Sequence, residues 1–136
     1  MSEFIDSFKL QLSDLESVGE LGYVEGMSKL LLNKFKGIDV YKRPLHCSDF
    51  KRETMYVKDH NKWEKEEKSN PKIRNAVQKV SYKNMNMISE WSGANPDCKS
   101  SKFESNSYYT NLIRQANGGT IEIEDNEDKI IRRIAK

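Results

Sequence analysis

Cysteine and histidine are scarce in this chain, and each scarcity removes a class of function. The 136 residues include two cysteines, two histidines and three prolines. Cys47 and Cys98 stand far apart and neither belongs to a close pair, so the chain does not read as a disulfide-stapled secreted domain. Structural zinc takes ligand pairs about two to four residues apart, and His46, Cys47, His60 and Cys98 supply no such pair. There is no Gly-rich phosphate loop, no nucleophile elbow and no His-Glu-x-x-His motif. No apolar run approaches the roughly 18 residues of a membrane span. The opening MSEFIDSFKL has neither the basic start nor the apolar stretch of a secretory signal. The expectation is an intracellular, reducing setting, with no membrane partner, no cofactor, no metal and no catalytic residue.

What is present is charge. Asp, Glu, Lys and Arg make up 32% of the residues, while apolar types make up 36%. Ordinary globular chains run near a quarter charged and about 45–50% apolar with Gly counted. A modest core under a heavily charged surface follows. Thirteen aromatics and clear apolar periodicity argue against disorder. The net charge of +2 carries no whole-chain argument for nucleic acid. Its distribution says more, because residues 41–91 hold twelve basic and seven acidic side chains while residues 1–40 hold four and seven.

The periodicity predicts one α+β domain over residues 1–136. Residues 1–38 read as a helical hairpin. Phe4, Ile5, Phe8, Leu12 and Leu15 form one helical stripe over 3–18; Val24, Met27, Leu30, Leu31 and Phe35 form a second over 24–36. Glycines at 19, 22 and 26 lie between and within these stripes, and Gly37 is a plausible C-terminal stop. Residues 41–67 read as a three-stranded antiparallel meander, with Met55 and Val57 on one face, Tyr56 on the other, and a turn at Asp59-His60-Asn61. Trp63 is assigned to the apolar side. Asn70-Pro71 announces a long helix over 70–91, with Asn70 as N-cap and Ile73, Ala76, Val77, Val80, Met87, Ile88 and Trp91 inward. Residues 92–136 read as a polar loop and one or two helices. One of these spans 108–116 and stops at Gly118-Gly119. The other places Ile130, Ile131 and Ile134 on one face, with Asp125 as a possible N-cap; Thr120–Ile123 could be a strand instead.

These elements could carry four kinds of chemistry. A metal would need His46 and Cys47 together, but adjacent strand residues point to opposite faces. A Cys47–His60 nucleophile pair would need a base within about 3 Å and an orienting third group. Nucleic acid could be held by Lys42, Arg43, Lys51, Arg52, Lys58 and Lys62, with Lys65 nearby and Tyr41, Tyr56 and Trp63 interleaved as rings for bases. Asp49, Glu53, Asp59, Glu64, Glu66 and Glu67 dilute that positive charge. Finally, the apolar faces of the first and last helices could dock on a protein partner or on a second copy.

The run RPLHCSDFKRETMYVKDHNKWEKE is similar to a module of proteins from large nucleocytoplasmic DNA viruses, the giant viruses and their relatives. The matching positions are Arg43 to Asp49, then Lys51-Arg52-Glu53, then Tyr56 to Asp59, then Trp63. The likeness extends to GELGYVEGMSKLLL, KIRNAVQKV, SEW, NPDC and KIIRRIAK, which is nearly the whole chain. The module often forms the C-terminal part of longer viral proteins, some with a two-Cys two-His zinc finger. The resemblance therefore leans towards nucleic acid, and it carries no assigned catalytic or ligand-binding residue. His46, Cys47, Asp49, Tyr56 and Trp63 mark the signature, with Ser48 and Asp49 expected to bond backbone amides and Arg52 to pair an acid. The leading expectation is a non-enzymatic viral interaction module working through apolar helix faces. The alternative is a nucleic-acid-associated accessory domain using the basic 41–65 region.

Overall fold

Among the described residues, six helices and one three-stranded antiparallel sheet build an α+β fold, with a helical N-terminal segment, a central meander, a long helix and C-terminal helices. The computed structural model describes residues 2–39, 42–49, 51–52, 54–96, 104–119 and 123–135. The helices are α1 (Ser2–Asp6), α2 (Leu12–Leu21), α3 (Tyr23–Lys36), α4 (Pro71–Ala94), α5 (Glu104–Ala116) and α6 (Ile123–Ala135). The strands are β1 (Leu45–Asp49), β2 (Thr54–Asp59) and β3 (Lys62–Lys65), in spatial order β1-β2-β3.

The first helix expected over 3–18 is two helices. Its apolar stripe is correct, since Ile5, Phe8 and Leu15 are buried, but local hydrogen bonds interrupt the backbone. The Ser7 hydroxyl donates to the Phe4 carbonyl at 2.6 Å, competing with the helical ladder. Lys83 reaches over from α4 and donates to the carbonyls of Ile5, Asp6 and Phe8 at 2.8, 3.2 and 3.2 Å. A cation on the last carbonyls of a helix is what its C-terminal end favours. The chain restarts at Gln11, whose amide donates to the Asp14 carboxylate at 2.8 Å.

Glycine controls how the next helices meet. Gly22 separates α2 from α3 at φ 91°, a conformation that costs other residues strain. Gly19 and Gly26 sit inside the helices at close approaches. A Cβ on Gly26 would lie 2.6 Å from the Val18 Cα, and one on Gly19 would lie 2.3 Å from the Leu112 Cδ2. These absent side chains let α3 and α5 press onto α2. Gly37 follows α3 but keeps a right-handed φ of −73°, so it ends the helix without the left-handed turn.

The three strands form the antiparallel meander, with the turn at the expected Asp59-His60-Asn61. Leu45 pairs with Val57, His46 with Tyr56 and Cys47 with Met55, before a bulge brings Asp49 opposite Thr54. Asp59 pairs with Lys62 across His60 and Asn61, which stand at φ 50° and 63°. Two left-handed residues in a two-residue loop make a tight hairpin turn whose twist suits the flanking strands. Met55 and Val57 are buried, worth about 1.5–3 kcal/mol each by transfer from water.

Asn70 precedes α4 but does not cap it with its side chain. It stands at φ 52°, ψ 53°, and Glu66 does the capping instead: its Oε2 accepts from the Lys72 amide at 3.1 Å. Burial pushes the Glu66 carboxyl up, against the backbone amides of Lys72 and Ile73 that pull it down. Asp125, expected as an N-cap, lies inside α6, and the strand alternative at Thr120–Ile123 falls mainly on residues outside the described ones, although Ile123 begins α6.

Two hydrophobic clusters result among the described residues. One joins α1, α3, the inner face of the sheet, the first half of α4 and α6. The other gathers Leu15, Trp91, Leu112 and Ala116, with Met85, Met87 and Ile88 packed on it. Trp91 stacks on Tyr109 at 5.8 Å between centroids, and its indole N–H donates to Glu16 at 3.1 Å. Tyr108 donates to Glu20 at 3.2 Å; burial, with the charges of Glu20 and Glu16, pushes its pKa to about 12. Asn84 lies between these halves of α4, fully buried, and its carboxamide has no hydrogen-bond partner among the described residues. Such a group costs about 1–3 kcal/mol.

An exposed helical Gly→Ala change stabilises by about 1 kcal/mol. Gly26→Ala is expected to do the reverse, because the methyl meets the Val18 backbone. A loss of about 1–3 kcal/mol in urea denaturation is the expected outcome; a gain would contradict the close α2–α3 approach.

Candidate nucleic-acid interface

The register divides the meander into two unlike faces. Leu45, Cys47, Met55 and Val57 point to the core side and pack with the first cluster. The other face carries His46 opposite Tyr56, Tyr56 opposite Lys65, and Lys58 opposite Trp63. His46, Trp63 and Lys65 are exposed, and Trp63 retains 46% of its surface. The Lys58 ammonium lies 5.9 Å from the Trp63 ring centroid, within cation–π range.

Trp63 therefore does not belong to the apolar side of the meander. Alternation counted back from Met55 and Val57 does not fix its face, because the two-residue turn resets the phase and strand pairing decides it. Trp63 pairs with Lys58, the residue after Val57, and so stands on the outward face. Glu64 takes the opposite side, where it forms an ion pair with Lys72 of α4.

The six nominated cations are not on one face. Lys58 is on the outward face beside Trp63. Lys51 and Arg52 are exposed in the turn that joins β1 and β2. Lys62 is exposed at the start of β3, on the Asp59 side rather than the Trp63 side. Lys42 is exposed just ahead of β1. Arg43 turns towards the helices: its Nε donates to the Ile38 carbonyl at 3.2 Å, and it lines a small crevice with Phe35, Cys47, Met55 and Ile134. Lys65 joins the outward face by pairing with Tyr56, which a count of basic residues along the chain could not single out. Tyr41 and Glu53, and the side chain of Asp49, lie outside the described residues.

No protein-family model, no curated protein and no solved structure matches this chain.

The soft ligands are not assembled either. His46 and Cys47 occupy opposite faces of β1. His60 sits at the β2–β3 turn, five residues beyond the partner of Cys47, or about 17 Å along the strand. Cys98 lies outside the described residues. No group of three His, Cys, Asp or Glu side chains suited to a metal occurs among the described residues. Nor is any described helix long and apolar enough to cross a membrane.

The two tryptophans should separate cleanly by fluorescence. Trp91 is buried and Trp63 is open. Acrylamide is expected to quench one of two emission components, and Trp63→Phe should abolish that component alone. Retention of the quenchable component in Trp63→Phe would contradict the strand register.

Proposed function

We propose that this chain binds single-stranded nucleic acid on the outward face of its meander, as an accessory domain of a viral protein of the kind its sequence resembles. The observation that carries the reading is the pairing of an exposed Trp63 with Lys58, next to the Tyr56–Lys65 pair, on a face turned away from the core. Tyr56 and Trp63 are diagonal neighbours on adjacent strands, about 7–8 Å apart at that register. Each ring can take one unpaired base, and stacking contributes about 1–3 kcal/mol per base. Lys58 and Lys65 flank the rings, and Lys51 and Arg52 extend positive charge past the sheet edge. Unpaired bases are the natural substrate, since a ring standing off a sheet cannot reach bases stacked inside a duplex.

The apolar helix faces considered for a protein partner are spent within the fold. Ile5 and Phe8 of α1, and Ile130 and Ile131 of α6, are buried in the first cluster, while Ile134 packs partly against it. The surface that remains distinctive is aromatic and basic. The likeness to viral modules that accompany zinc fingers leans the same way.

Fluorescence anisotropy with a labelled oligothymidine of about 12 nucleotides tests this. Four phosphate contacts predict a log–log salt slope of about −3, at roughly −0.7 per contact on a single strand. Trp63→Ala is expected to weaken binding about tenfold, and Lys51→Ala plus Arg52→Ala should flatten the slope by about one to two units. Absence of binding at low salt, or affinity unchanged in Trp63→Ala, would refute the reading.

A further inference from the structure

A second feature lies where α3, α4, α5 and α6 converge. There a cleft of about 390 Å³ opens between side chains that include Tyr23, Gln78, Ser81, Tyr82, Met85 and Glu127. Among the described residues that line it, Glu127 alone is formally charged. Its side chain is 3% exposed, so water screens it little. The Gln78 carboxamide donates to one of its oxygens at 3.0 Å, and the Arg74 guanidinium reaches the other at 3.4 Å. Arg74 is shared, because it also pairs with Asp128. One guanidinium against two carboxylates leaves this group with one net negative charge. A carboxylate has about four acceptor positions, so Glu127 holds capacity beyond these two bonds.

The rest of the cleft suits a ligand with an apolar body and a donating head. Tyr23 is buried and hydrogen-bonded to Ser81; burial pushes its phenol up against the lowering by that hydrogen bond, and the charge of Glu127 adds to the rise. Tyr82 stands on the rim with 66% of its surface open, a large aromatic face beside a negative site. Met85 supplies an adaptable apolar wall.

We infer that this cleft binds an alkyl ammonium group, with the ammonium at Glu127 and Tyr23, the alkyl chain along Met85, and the Tyr82 ring closing over it. A free aliphatic amine and the side chain of a lysine in a partner share this chemistry. The volume admits a chain of a few carbons, and the net negative charge of the group selects the cation over an alcohol or an acid. This site stands apart from the meander face and does not depend on nucleic-acid binding.

The test titrates the isotope-labelled full chain with n-pentylammonium, 1-pentanol and pentanoate, followed by NMR. Pentylammonium is expected to move the signals of Tyr23, Tyr82 and Met85 saturably and to bind at least about tenfold more tightly than pentanol, while pentanoate leaves them in place. Glu127→Gln should remove that tenfold preference. Should that variant fail to fold, Tyr82→Ala on the exposed rim serves instead, with an expected loss of about two- to fivefold for pentylammonium. A parallel titration with Nα-acetyl-lysine methylamide separates the sources: binding as tight as pentylammonium assigns a lysine side chain, and exclusion assigns a free amine. Equal affinity for pentanol and pentylammonium, or no response of the cleft signals to either, would overturn the proposal.

Discussion

Both hydrophobic clusters close on α4, and the rest of the fold depends on that one helix being continuous. Its 24 residues span about 36 Å. Ile73, Ala76, Val77 and Val80 serve the first cluster, and Trp91 serves the second. Neither cluster is large, as expected of a chain only 36% apolar. A shared helix joins two modest cores into one unit, and the fully buried Asn84 sits where they meet. Lys83 adds a polar tie from the same helix to the end of α1. Glu66 ties the sheet side to its first turn.

The sheet's role follows from this arrangement. Its inner face completes the first cluster through Met55 and Val57, and Glu64 and Glu66 connect β3 and the following loop to the start of α4. Held from behind in this way, the outward face can carry side chains that contribute little to stability. An exposed Trp opposite a Lys, beside a Tyr opposite another Lys, is an arrangement that core packing does not require. The cleft at Glu127 is set up by the same helix from its other side, where Gln78 and Ser81 of α4 face Tyr23 and the start of α6.

Much of the fold was legible because its periodicities are strong. The stripe from Ile73 to Trp91, the alternation at Met55 and Val57, and the Asp59-His60-Asn61 turn each give a local signal tied to one geometry. What the sequence concealed depends on contacts made over long separations. The break in the first helix rests partly on Lys83, over seventy residues away, and the cap of α4 comes from Glu66 rather than the adjacent Asn70. Trp63 was legible as an aromatic in a strand but not as an outward one, because its face is set by the partner strand. The candidate surface was therefore half visible: Lys58 and Tyr56 by alternation, Trp63 and Lys65 only by pairing. Arg43 looked equivalent to the other cations until its bond to the Ile38 carbonyl placed it among the helices. Glu127 gave no signal at all, since a glutamate in an acidic helix start is ordinary until packing buries it.

The meander divides into a core face and an outward face that we propose takes unpaired bases. That reading is tested most directly by titrating the isotope-labelled chain with oligothymidine and mapping which amide and ring signals move. The expected result is a response concentrated at His46, Tyr56, Lys58, Trp63 and Lys65, fading in high salt, with α2 and α5 unmoved. Movement concentrated on the helices, or none at any residue of the outward face, would contradict it.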